Sequence, residues 1–531
     1  MSYEVPDLDW SDGRMLPAFQ TVQHLDIYDI QAASRDIQLA ATTLAGIINR
    51  PCPRVFLIGN NEDAYWLQHL FEAVPQDAAH PGGNDALQAL LAAYHESITG
   101  LIIYDPNLVD TINVATTLAG QRDAVVVSPE LAQSLQDTYK LPVLVDLRTY
   151  HWRSRVQAYH WAQQNLLDGA SARMLAGLGP DNVSGLRSFL VATRTFVYWL
   201  DSRNYLPDLS DGLLSERGLM QQICSAFLPG GVHLGWFIDE SSGVHLTSQA
   251  AMTVLATDNC RNLEAWTAIP APALSMQDQA VEVPAIGNKV YVSFTISDGD
   301  NLQYCQHRLL ALWRDAAAHN SLPIGWTISP ALMQAAPTLA AYYLNSATSN
   351  DELIAGPSGA GYMFPSHWPA EHLPQFLQRT GQLMQAMGLT TLAVLDTALW
   401  ESAGLPFIAN IRLTGMTFTD PASRQCFVQT LTPYGLQGIL SGAGLSTPQW
   451  KKVENIPIYH NLGLANSVDQ TVKLIKNVVA SNSQRPLFLS VYILAWSMTP
   501  SNLKQVVQQL GPDYEIVLPR QLLAMLASTI S

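Results

Sequence analysis

Three acidic residues stand where apolar runs end. The run KVYVSFTIS at 289–297 passes directly into Asp298-Gly299-Asp300-Asn301, and TTLAVLD at 390–396 ends in Asp396. In a chain with only 14% charged residues, carboxylates are sparse enough for their placement to carry information. Two carboxylates brought together from different strands are the equipment of glycosidic bond cleavage: one protonates the leaving oxygen, and the other attacks carbon or activates water. Asp298, Asp300 and Asp396 are therefore the candidate catalytic residues. The aromatic faces of Tyr362, Trp368 and Trp496 suit the apolar face of a sugar ring, while Asn301, His367 and His460 suit its hydroxyls. Each also has a structural reading. Asp298-Gly299-Asp300 fits a turn in which Asp300 caps a helix beginning NLQYCQ, the aromatics fit core or rim positions, and His460 fits a hydrogen-bonded structural histidine.

These residues need a frame that gathers them. From residue 289 onward, short apolar runs at 289–297, 324–329, 352–357, 390–396, 413–420, 436–440, 456–461, 486–494 and 514–519 alternate with helical stretches such as 301–317, 370–387, 467–481 and 501–510. That rhythm predicts a (β/α) barrel-like domain, complete or distorted, whose strand C-termini converge on one face. Asp298, Asp300, Ser329, Asp396, Asp420, His460, Asn461 and Trp496 all fall at or just beyond such ends.

Before residue 271 the alternation also predicts α/β structure with mainly parallel sheet. Expected strands lie at 53–59, 100–105, 123–128, 141–147, 233–239 and 252–258. The expected organisation is an N-terminal α/β region over 1–270, with 1–150 and 151–270 as candidate subdomains, a linker over 271–288, and the barrel-like domain over 289–531. Asp239 and Glu240, in GWFIDE, form the best acidic pair of the N-terminal region. They are candidates for substrate contact if the cleft lies between domains, and helix capping explains Asp239 equally well. Neither G-x-G-x-x-G nor a Walker A sequence occurs, and no cofactor is expected.

Composition narrows the class. The chain has 531 residues, 48% of them hydrophobic, which suits more than one sizeable core. A formal charge of −16 disfavours nucleic acid and anionic membrane as partners; the carboxylates and aromatics make a carbohydrate substrate the expected partner. Five scattered cysteines give neither a disulfide framework nor a zinc ribbon. The opening MSYEVPDLDW has no basic n-region and no apolar h-region, so the chain as given is expected to be cytoplasmic; one trimmed before Met1 would read the same.

The segment GAGYMFPSHWP sharpens the reading. Gly359, Gly361, Tyr362 and Pro365 resemble the signature of the GxGYxYP glycoside hydrolase family, with Phe364 in place of the second tyrosine. YVSFTISDGDNLQ is similar to the strand and acidic turn that open that family's C-terminal domain, and GWFIDESSGVHLTSQAAMTVLATDNCRNL to its N-terminal region. The resemblance implies an N-terminal α/β region, a C-terminal barrel-like domain, carbohydrate processing, and a substrate-binding role for the Gly361-Tyr362 segment. Loss of the hydroxyl at Phe364 implies altered specificity or lost activity if that hydroxyl serves substrate or an acid.

Two other functions fit the residues. Asp-x-Asp with His367 and His372 invites a metal-dependent polysaccharide deacetylase-like hydrolase. Five residues on a helix rotate by about 500°, which separates the two rings, and no metal is assigned. A non-catalytic glycan-binding protein on the same fold is the other.

Overall fold

The computed structural model describes residues 8, 10–11, 13–50, 52–77, 80–207, 214–274, 282–297, 301–315, 320–396 and 417–529, with the backbone alone at Asn301. Asp298 and Asp300 lie outside the described residues, as does the start of the run expected at 413–420. The chain divides into two compact units, Met1–Pro272 with Gln334–Leu339, and Ala273–Met333 with Ala340–Ser531. Among the described residues no helix is long and apolar enough to cross a membrane.

Among its described residues the first unit carries three parallel sheets. Strands β1 (Asp26–Asp29) and β2 (Val55–Ile58) form a pair. Strands β3 (Gly100–Ile103), β4 (Ala124–Val127) and β5 (Val143–Asp146) run in the order β4-β3-β5. Strands β6 (Met174–Gly177), β7 (Phe196–Tyr198), β8 (Val232–Gly235) and β9 (Thr253–Ala256) run in the order β7-β6-β8-β9. Strands of three or four residues linked by helices are the βαβ arrangement that the alternation predicts.

The second unit is a barrel. Its strands are β10 (Val290–Ser297), β11 (Ile324–Ile328), β12 (Asp351–Ala355), β13 (Thr391–Val394), β14 (Gly438–Leu445), β15 (Gln449–Val453), β16 (Ile456–Ala465), β17 (Leu487–Leu494) and β18 (Tyr514–Ile516). Among the described residues seven of these close on themselves in the order β10-β11-β12-β13-β14-β16-β17, every pair parallel. β15 adds antiparallel to β16, and β18 adds to β10. β10 pairs with β17 along its length, but shares its other edge: Val290–Val292 pair with β18, and Thr295–Ile296 with β11.

Register identifies the inside of the barrel. Tyr291, Ile354, Ala393, Leu440, Tyr459 and Phe488 come from six strands yet share one cluster, which only an interior position allows. That cluster also holds Leu522, Leu523, Met525 and Leu526 of the helix Pro519–Ser528, which plugs the N-terminal end. Burial of such side chains contributes about 1.5–3 kcal/mol each. Glycine makes room for the plug: a Cβ at Gly325 would lie 2.6 Å from Pro519 Cγ, and one at Gly438 2.6 Å from Leu523 Cδ1. Glu352, fully buried, accepts from Thr391 Oγ1 (2.6 Å) and from the Arg520 amide in the first turn of that helix (2.7 Å).

Candidate functional site

Alternation along each strand places Ser293, Thr295 and Ser297 of β10 on the same interior face as Tyr291, and Gly325 and Thr327 of β11 in register with them. Ser329 continues the β11 series. Above the apolar plug the interior therefore turns polar. Ser490 donates to Asn461 Oδ1 (2.7 Å), and Asn461 Nδ2 donates to the Gly442 carbonyl (3.0 Å). The hydroxyls of Ser293, Thr295, Thr327 and Ser329 are buried and make no hydrogen bond. Orphan hydroxyls clustered on two neighbouring strands need water or ligand hydroxyls as partners, because leaving each unsatisfied costs about 1–3 kcal/mol. The sequence signal for this polar floor is the period-two S-x-T-x-S inside VYVSFTIS, which an apolar reading of that run overlooks.

The Gly-rich loop is built as a bracket for the end of β13. Ser358, with φ 61°, donates its amide to the Ala393 carbonyl (2.8 Å). Its hydroxyl donates to the Leu395 carbonyl (3.0 Å) and accepts from the Leu395 amide (3.2 Å). Gly359 has φ 128°, and a Cβ there would lie 2.7 Å from Thr380 Oγ1, so glycine is required both by conformation and by the close approach of the helix Leu373–Met387. Thr380 Oγ1 then accepts the Ala360 amide (3.0 Å). Farther along, Ser366 donates both its hydroxyl (2.6 Å) and its amide (3.3 Å) to Asp396 Oδ1. Asp396 is 1% exposed and is oriented by the signature loop itself.

Gly361 and Tyr362 are buried within that loop, and Tyr362 meets Phe364 edge-on at 5.5 Å. With no ring face exposed, Tyr362 supports the loop instead of offering a stacking surface. Trp368, 6% exposed, packs on Phe376 at 5.1 Å. His367 is half-buried beside Phe364, and burial lowers its pKa, favouring the neutral ring.

His460 pairs in register with Ser441, on the face of β14 and β16 opposite Leu440 and Tyr459, so it points out of the barrel. Its Nδ1 lies 3.0 Å from Ser441 Oγ, which also accepts the Phe418 amide (2.8 Å). Burial, with Arg424 and Lys451 nearby, pushes its pKa down to about 4. The outward direction separates His460 from the polar floor. Trp496 is 48% exposed and lies edge-on to Tyr304 at 6.3 Å. The preceding residue, Ala495, donates its amide to the carbonyl of Ser297 (3.2 Å), the residue that precedes Asp298. An open indole is thereby held next to the end of β10.

Asp239 and Glu240 belong to the first unit. There Asp239 Oδ2 accepts the amide (3.0 Å) and hydroxyl (2.7 Å) of Ser242, capping the helix Glu240–Gln249, and Arg203 lies 4.0 Å from Oδ1. Glu240 is half-buried in the first turn. Asp420 likewise caps the helix Pro421–Leu431 through the Ser423 amide (2.7 Å).

A solved structure shares this architecture. A crystal structure described as a putative hydrolase from Bacteroides thetaiotaomicron VPI-5482 matches with a TM-score of 0.80 at 21% identity, covering 97% of each chain. A putative polysaccharide deacetylase from Mycobacterium smegmatis matches 49% of this chain and 95% of its own at 9% identity, with a TM-score of 0.31. No curated protein matches. Residues 288–527 match the GxGYxYP putative glycoside hydrolase C-terminal domain, residues 98–170 the second domain of the family's N-terminal region, and residues 172–268 its third domain. With the barrel, the bracketing loop and most of the N-terminal region accounted for, the chain belongs to the GxGYxYP putative glycoside hydrolase family.

Proposed function

We propose that the protein hydrolyses a glycosidic bond at the C-terminal mouth of the barrel, with Asp396 as one carboxylate and Asp298 or Asp300 as the other. The observation that carries this reading is the fixing of Asp396 Oδ1 by the hydroxyl and amide of Ser366, within the family's signature loop. A carboxylate held by two donors at a strand's C-terminal end has the orientation that acid, base or nucleophile chemistry requires. β10 ends on the same mouth, and its last residue leads directly into Asp298. Trp496 supplies an exposed indole for the sugar face, and the unpartnered hydroxyls of Thr295, Thr327 and Ser329 supply a floor for its hydroxyls.

Release of reducing ends from a broad oligosaccharide panel tests the reading. Wild type is compared with Asp298→Asn, Asp300→Asn and Asp396→Asn, with and without EDTA. The expected result is EDTA-resistant turnover that falls at least about a hundredfold in Asp396→Asn and in one of the other two, within the range that acid–base catalysis supplies. Turnover abolished by EDTA would move the assignment to metal-dependent hydrolysis. Glycan binding without turnover would move it to a binding protein.

A further inference from the structure

Outside the barrel, the first strand of the first unit carries an unassigned group of donors. His24 Nε2 lies 3.4 Å from Asp26 Oδ1 and 3.1 Å from Asp77 Oδ1. The ligand atoms of the three residues all fall within 4.8 Å of one another, the one such His/Cys/Asp/Glu trio among the described residues. The backbone builds the arrangement: the Leu25 amide donates to the Pro75 carbonyl (2.9 Å) and the Asp77 amide to the Leu25 carbonyl (3.1 Å), holding Asp77 alongside His24–Asp26. We infer that His24, Asp26 and Asp77 form a binding site for a divalent transition-metal ion of the Zn²⁺ class.

The spacing fits such an ion. Bonds of about 2.0–2.1 Å at tetrahedral or octahedral angles separate donor atoms by about 2.9–3.4 Å, the range in which the two nitrogen–oxygen distances fall. A second, independent feature points to a ligand. Tyr28, two residues along β1 on the same face as Asp26, is 0% exposed and its hydroxyl makes no hydrogen bond. Asp26 and Asp77 both lie close enough to act on that hydroxyl electrostatically. Its ring stacks on His80 at 4.4 Å, and the buried Nε2 of His80 also lacks a partner. A hydrated cation held by the trio would bring water within reach of such groups, the usual outer partners of a metal site. Tyr94 already donates to Asp26, and Arg54 lies over the Tyr94 ring at 5.5 Å. Asp77 is 56% exposed and His24 42%, so ions reach the site from solvent and water completes the coordination. One imidazole with two carboxylates favours Zn²⁺ or Mn²⁺ over Ca²⁺ and Mg²⁺.

Equilibrium dialysis of the tag-free, EDTA-stripped full chain against Zn²⁺, with metal quantified by mass spectrometry, tests the site. The expected result is one saturable Zn²⁺ per chain, with affinity at least about tenfold weaker in Asp77→Asn and in His24→Ala, the loss typical of a missing ligand or its support. Both side chains are substantially exposed, so the variants should fold, as circular dichroism will check. Asp77→Asn carries the test if His24→Ala does not. Zn²⁺ should also raise the melting temperature of wild type more than that of Asp77→Asn. Absence of saturable binding, or binding and melting responses equal in wild type and Asp77→Asn, would overturn the site. The readout is independent of hydrolysis, so it stands or falls apart from the barrel chemistry.

Discussion

Glu352 should make the barrel's stability fall as pH rises. It is fully buried, and burial pushes its pKa from 4.5 up to about 7, offset in part by the hydrogen bonds from Thr391 and the Arg520 amide. The folded state therefore keeps a proton that the unfolded chain has already lost. Stability from this group is complete below about pH 4.5 and declines until the folded carboxyl itself ionises near pH 7. At about 1.36 kcal/mol for each pKa unit, the decline amounts to about 3 kcal/mol. In Glu352→Gln an amide keeps both contacts, because its nitrogen donates to Thr391 Oγ1 while its oxygen accepts the Arg520 amide. Urea unfolding followed by tryptophan fluorescence at several values between pH 5 and 8 should show the variant gaining on wild type by about 2–3 kcal/mol across that interval. A difference between the two proteins that does not change with pH would refute the argument, since it would mean that the carboxyl is ionised throughout or reaches solvent.

His460 works in the opposite direction: its pKa of about 4 means that the unfolded chain takes up a proton first, so its stability contribution is complete above about pH 6.5 and is lost as pH falls toward 4. His460→Asn should flatten the acid limb of the same unfolding profile, and an unchanged limb would remove the histidine from the account. Ser366→Ala removes the 2.6 Å hydroxyl contact to Asp396 while leaving the amide, and should lower kcat about tenfold or more with KM little changed; a pure KM effect would place Ser366 in substrate binding. Thr327→Val keeps shape and deletes a buried hydroxyl without a partner, so it should stabilise the fold by about 1 kcal/mol yet weaken kcat/KM. Unchanged kcat/KM in that variant would exclude the floor from the site.

The extent to which the sequence revealed this structure follows from local signals. β10 was readable because β-branched and aromatic residues fill six of the eight positions from Val290 to Ser297, with Asp298-Gly299-Asp300 following in sequence. The outward face of His460 was not, because both sides of β16 are buried over Ile456–Leu462 and a two-sided strand loses its polar alternation. β15, with sequence QWKKV, carries the charge of an exposed edge and lacks an apolar signature. β1, β6 and β7 lie outside the runs read as strands. The motif GAGYMFPSHWP stood out by composition, but its bond to Asp396 joins residues thirty positions apart and belongs to the tertiary fold.

One strand face summarises how the barrel makes a site possible. Along β10 the inward residues pass from Tyr291, within the apolar plug, through Ser293 and Thr295, whose hydroxyls lack partners, to Ser297, which Asp298 follows in sequence. β13 ends comparably, with Thr391 spent on Glu352, Ala393 in the plug, and Asp396 at the mouth under the hold of Ser366. Apolar contacts at one end therefore fix the strand that leads into Asp396 at the other. A large-to-small change at Tyr291 or Phe488 would act on chemistry through the strand ends, without touching a substrate.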